Sequence, residues 1–211
     1  MTMTMNPSNP SNPSNPSNRF RTTTTNPAAT SSATSPAWFD RLQRGAVIAS
    51  TVTMGLAAGF FFTYQVSVTR GLAIVDDRSY VEIFQAINET VRNAWFGIVF
   101  FGSIPILTAS LALNWRTSRR ARTLLGTSLG LYLATVAITA VGNIALNEEL
   151  ATVTERSPEV LAAARSDFEQ SWNDLNLART LTCFGALVAV ALGGSRSSPR
   201  QQACGDEQQA Q

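Results

Sequence analysis

The chain has 211 residues, 45 % hydrophobic and only 14 % charged, where ordinary soluble domains carry about a quarter. Its 16 basic residues, all Arg, face 14 acidic ones for a formal charge of +2, which argues against a nucleic-acid partner, since that needs positive charge gathered on one face. With no His, and two cysteines (Cys183 and Cys204) in unrelated contexts, metal sites built on His or Cys clusters and Cys-x-x-Cys redox chemistry drop out as well.

Residues 1–37 repeat Asn-Pro-Ser and then run through Thr, Ser, Ala and Pro. Having almost no aliphatic side chains, this stretch is predicted to be a disordered tail. No basic start is followed by an apolar region, so it does not read as a signal peptide. Residues 38–195 read as a membrane domain. Four charge-poor stretches have the length needed to cross a bilayer, about 45–69, 94–115, 123–147 and 175–194. Gly55 and Gly59 form a GxxxG in the first, and Pro105 interrupts the second at a place where a bilayer helix tolerates it. The fourth reaches full length only by admitting Asn176 and Arg179. Residues 196–211 read as a polar cytoplasmic tail.

The loop between the second and third spans holds Arg116, Arg119, Arg120 and Arg122 with no acid, while the loop after the third is rich in Glu and Asp. The positive-inside rule then places both termini and the Arg-rich loop in the cytoplasm. Both remaining loops carry helical signals. Ser79 and Glu82 have capping-box spacing, and Tyr80, Phe84, Ile87 and Val91 follow at helical intervals. Ser157-Pro158 reads as a helix start, with Leu161, Phe168 and Trp172 on one stripe. The expected fold is therefore all-α: a transmembrane four-helix bundle with two amphipathic extracytoplasmic loop helices. Asp77-Arg78-Ser79 and Glu155-Arg156-Ser157 sit at equivalent places in the two halves, a faint sign of internal duplication. Exclusive use of Arg hints at a GC-rich genome and so at a bacterial inner membrane.

Polar side chains gather at one end of the spans. Asn143 and Asn147 are four residues apart on one face, followed by Glu148. Trp172, Asn176 and Arg179 share another face, with Asn173 beside it, and Asn88, Arg92 and Asn93 close the first loop helix. An Arg beside hydrocarbon needs a partner. Arg179 is expected to face the bundle interior and to pair with Glu148 or another carboxylate. Two readings of the cluster compete. It either pins the loop helices to the bundle, or forms the polar mouth of an apolar pocket. Trp95 and Trp172 fall where an interfacial aromatic belt is expected.

The runs SVTRGLAIVDDRSYVEIFQAINETVRNAWF, NIALNEELATV and WNDLNLARTL resemble the anthrone oxygenase-like family of four-span membrane proteins, much of it known only as a domain of unknown function. The resemblance spans about 45–193. It rests on Asn-x-x-x-Asn ending the third span, Trp-Asn-x-x-Asn-x-x-Arg opening the fourth, and the Asn88 to Phe96 segment. It implies a cofactor-free oxygenase, since some fungal members oxidise anthrones to anthraquinones apparently without metal or flavin. An anthrone is an acidic carbon acid, and its anion reacts with dioxygen directly. Such a site needs a base, a cation or donor near the developing oxyanion, and a dry cavity. The family's catalytic residues are not carried over. This chain's own cluster offers Glu148 as base and Arg179 as anion stabiliser, with Asn143, Asn147, Trp172, Asn173, Asn176, Asn88 and Asn93 as substrate-binding candidates. The expected partners are the bilayer and a small lipophilic substrate, with no cofactor and no metal. A structural or interaction protein remains the alternative. A small transporter fits less well, because mid-span positions are almost all apolar or small.

Overall fold

The structure, a computed structural model, describes residues 36–195, so the expected tails lie outside it except for 36 and 37. Four helices are long and apolar enough to cross a membrane: α1 (Ala37–Leu72), α3 (Ala94–Asn114), α4 (Arg119–Ala151) and α5 (Pro158–Gly194). A fifth, α2 (Asp77–Val91), joins α1 to α3. At about 1.5 Å per residue, α1, α4 and α5 are roughly 50 Å long, while the 21 residues of α3 barely match the ~30 Å hydrocarbon core. The protein is an integral membrane bundle whose three long helices project beyond the short one.

The second amphipathic stretch is not a separate helix. It is the first half of α5, whose 37 residues run unbroken. Neither Gly nor Pro occurs from Glu159 to Phe184, so nothing stops the helix. One stripe, Leu161, Phe168, Trp172, Asn176, Arg179, Cys183, Ala186 and Val190, is buried throughout. Helices α1, α3, α4 and α5 pack in a ring in chain order, and α2 lies across α5 and the last part of α4. The bundle core holds Met54, Phe61, Phe100, Leu107, Tyr132 and Val190. Small hydroxyl residues fill the gaps between them: Ser50, Ser103, Ser128 and Thr135 are fully buried. Contacts across helices include Ser128 Oγ to the Ala186 carbonyl (2.8 Å) and Tyr132 Oη to the Phe100 carbonyl (2.7 Å), which satisfy polar groups where no water is available. Ile48, Val52, Ile98, Phe101 and Leu181 point outward, as lipid-facing residues do. The GxxxG of α1 is not a close-contact site among the described residues, where a Cβ at Gly55 or Gly59 would meet nothing within 4 Å.

Two helices contain a π turn near the same end. In α1 it spans Tyr64–Val68, and in α4 Thr139–Asn143. Each widens the helix locally by carrying one extra residue per turn. Gly142 belongs to the second turn. A Cβ there would lie 2.7 Å from Cδ1 of Leu175, so any larger residue would make that side chain of α5 move aside.

A second core closes this end of the bundle: Leu72, Tyr80, Val81, Phe84, Leu150, Leu161, Phe168 and Trp172. The start of α2 departs from the Ser79 capping box. Asp76 is the N-cap, accepting from Ser79 N (3.0 Å) and from Ser79 Oγ (2.9 Å). Those bonds hold the Asp76 carboxyl below its usual value. The cap is at full strength above about pH 4 and is lost as pH falls through the lowered value. Ser157 does precede α5, but its hydroxyl bonds Glu155 instead of capping. Burial pushes the Tyr80 phenol up, with the Glu169 carboxylate adding to it.

Arg165 clamps the cap. Its guanidinium donates to the carbonyls of Val75 (2.8 Å) and Ala73 (3.2 Å), and to Asp77 (3.1 Å) and Glu169 (2.8 Å). It also stacks over Tyr80, 4.6 Å from the ring centroid. Charge-assisted bonds of this kind contribute more than neutral ones. Arg165→Met should therefore cost on the order of 2 kcal/mol, read as a lower midpoint of thermal unfolding in detergent micelles. Arg165→Lys should recover only part, because one ammonium cannot span all four acceptors. An unchanged midpoint in both variants would rule the clamp out.

Candidate functional site

Where the π turns loosen α1 and α4, the bundle encloses a cavity of about 480 Å³. Its floor and walls are aromatic: Phe60, Phe61 and Tyr64 from α1, Phe96, Phe100 and Phe101 from α3. The rings support one another. Phe96 stacks on Phe100 (5.2 Å, 13°), and Phe60 leans on Phe96 and on Tyr64 (both 5.1 Å). The polar lining comes from the α2–α3 junction (Asn88, Arg92, Asn93), from α4 (Thr139, Asn143, Asn147, Glu148) and from α5 (Trp172, Arg179).

Seven of the nine residues expected at a site thus line one cavity: Glu148, Arg179, Asn143, Asn147, Trp172, Asn88 and Asn93. The other two do not. Asn173 is half-buried beside the lining. Asn176 is fully buried behind it, donating to Gln65 Oε1 on α1 (3.0 Å) and accepting from Arg179 Nη2 (3.0 Å).

The cluster divides by chemistry. One part is satisfied within the protein. Trp172 donates its indole N–H to Asn147 Oδ1 (2.8 Å), tying α5 to α4. Asn93 caps α3 by accepting from Phe96 N (3.0 Å) and donates back to the Thr90 carbonyl (3.0 Å). Trp172 is also not a belt residue. It is 3 % exposed and packs on Phe84, Phe168 and Tyr64, while Trp95 is 81 % exposed and suits the interface.

The other part is unsatisfied. Arg179 faces the interior, as its position requires, but it has no carboxylate partner among the described residues. Its charge lies between the rings of Phe61 (4.8 Å) and Trp172 (5.2 Å), and Asn176 Oδ1 is its one hydrogen-bond acceptor. Glu148 lies exposed at the cavity mouth instead of beside it. Arg179 Nε, Asn88 Nδ2 and Asn143 Oδ1 are buried with no hydrogen-bond partner. Three of the five such side-chain atoms in the described residues therefore belong to this one lining. Buried polar atoms are nearly always paired, so three orphans around one apolar space set this lining apart from the rest of the described core. No three His, Cys, Asp or Glu side chains among the described residues gather in a way that would hold a metal ion.

The aromatic walls and the Gln65–Asn176 link gave no signal in the sequence. The α1 and α3 stretches are apolar on every side, so periodicity could not say which rings face inward.

The family model described as Anthrone oxygenase matches residues 92–189. The match takes in α3, α4 and most of α5, and leaves α1 and α2 outside. No curated protein and no solved structure matches the chain.

The isolation of Arg179 has a consequence for stability. Breaking a structural buried ion pair costs about 3–5 kcal/mol, because a charge is left uncompensated. Arg179 has no ion pair to break. Arg179→Met, which fills similar volume, should shift stability by less than ~1 kcal/mol. A large drop in the thermal unfolding midpoint would mark Arg179 as a structural pin.

Proposed function

We propose, from the premise that over residues 92–189 this chain belongs to the anthrone oxygenase-like family, that its cavity binds a small, flat, lipophilic aromatic and oxidises it with dioxygen without a cofactor. The observation that carries this reading is the aromatic-walled space of about 480 Å³ whose one buried cation has no counter-ion. That volume falls within the roughly 300–1,000 Å³ of small-molecule sites. A protein that only organised itself would be expected to pair such groups internally.

The chemistry follows from the residue types. Glu148, at the mouth, takes a proton from the activated CH₂ of an anthrone-like substrate. The negative charge moves to the ring oxygen, where Arg179 stabilises it in a site of low dielectric. Asn88 Nδ2 adds a second donor, and Asn143 Oδ1 accepts from a substrate hydroxyl. The carbanion adds dioxygen. One oxygen atom stays as the new carbonyl, and the other leaves as water with the two hydrogens of the CH₂. Purified protein given a model anthrone under dioxygen should form the anthraquinone. Glu148→Gln and Arg179→Ala should each slow it by at least ~100-fold. Unchanged rates in both variants would sink the assignment of roles.

We also place the Arg-rich loop and both termini in the cytoplasm of a bacterial inner membrane, so that the capped end and the cavity mouth lie outside. The Arg loop at 116–122 against the acidic 148–174 stretch supports this. In intact cells a membrane-impermeant maleimide should label a cysteine introduced at Glu159 and spare one at Thr117. The opposite pattern would invert the topology.

A further inference from the structure

A bundle that binds a lipophile needs a route for it, and the three sides of this cavity differ. From above, α2 and the α2–α3 junction form a roof: Asn88, Val91 and Arg92 line it. On the α1 side the rings close the wall. A shallow lipid-side pocket does lie between α1 and α3, bordered by Leu56 and Trp95, but Phe60, Phe96 and Phe100 stand between it and the cavity in mutual contact. The α4 side lacks such a wall. Helix α3 packs along α4 over its Arg119–Ile138 part and has no sustained contact with the stretch beyond the π turn. There the cavity lining itself is exposed: Phe101 is 61 % and Ile144 40 % accessible, with Gly97 between the helices as a gap in the α3 surface. Phe101 lies eight residues into α3 from Asn93, about 12 Å along its axis, which is well inside the hydrocarbon region.

We infer that the seam between α3 and α4, beside Gly97, is a lateral portal through which a bilayer-dissolved aromatic enters the cavity directly from the lipid. The portal is graded. Phe101 and Ile144 border it at hydrocarbon depth, while Arg92, Asn147 and Glu148 border it toward the roof. A flat molecule with one polar edge slides in with its rings toward Phe96 and Phe100 and its oxygen leading toward Arg179. It therefore never crosses water, where its solubility is poor. The proposal rests on the cavity being a ligand site, and the experiment separates the two.

The full chain is reconstituted in liposomes. It is photolabelled either with an uncharged aryl diazirine held in the bilayer, or with a membrane-impermeant sulfonated aryl azide supplied in the water. Modification at the Tyr64 and Trp172 side chains themselves is read by mass spectrometry, since the same peptides carry lipid-facing residues such as Val52 and Leu177. The bilayer-held probe is expected to label both in the native chain. A Cβ at Gly97 meets nothing within 4 Å, so a side chain can begin there without a clash at its root. Gly97→Trp should abolish this labelling, and Gly97→Leu, the milder plug, should reduce it. Leu56→Trp, on the other seam, should leave it unchanged. If Gly97→Trp and Gly97→Leu, both folded by thermal unfolding, label like the native chain, the portal is wrong. If only the aqueous probe reaches Tyr64 and Trp172, the cavity stands and the lipid route falls. If neither probe reaches them, the ligand cavity falls with the portal.

Discussion

The indole of Trp172 joins the two halves of this molecule. It packs into the cap, against Phe84 and Phe168, and meets Tyr64 of α1 at a tilt. Its N–H holds Asn147 on α4. Its ring also receives the charge of Arg179. A single side chain thus fixes the cap on the bundle, sets the distance between α4 and α5, and gives a buried cation its surroundings. An amphipathic aromatic suits that position, since its body is apolar and its one donor is satisfied. Smaller residues would lose the cap, the inter-helix bond and the cation contact together.

Much of this architecture was legible in the residue order. The four spans follow from the bilayer thickness, and the inward turn of Asn143, Asn176 and Arg179 follows from the cost of facing them to lipid. What was not legible has specific causes. Arg165 looks like an exposed partner of Glu169 one turn away. An equally short bond goes to the Val75 carbonyl, 90 residues distant, which only the packed helices bring near. The expected Arg179–Glu148 pair failed on angle. Sequence places both at the same end of the bundle but cannot say that α4 presents Glu148 at the rim while α5 presents Arg179 to the interior. The continuity of α5 was also hidden, because the fall in hydropathy before residue 175 looks like the end of a span although the helix does not end there.

The polar cluster divides into satisfied and unsatisfied members. Asn93, Asn147 and Asn176 are structural, bonded to backbone or to neighbouring side chains. Arg179, Asn88 and Asn143 keep bonding capacity in reserve. The boundary between the two groups runs within single helical turns. Asn176 shows how the two roles connect: it is anchored to Gln65 on one side and fixes the guanidinium on the other.

The π turn at Thr139–Asn143 amounts to one surplus residue in an otherwise regular helix, with Ile144 N–H reaching back to the Thr139 carbonyl. Deleting one residue there would let α-helical geometry run through. The wide turn already absorbs the surplus residue, so the helix beyond it would keep its facing. What would go is the widened turn itself, from which Thr139 and Asn143 line the cavity. A single codon thus decides whether this wall of the chamber is a π turn or a plain α-helix.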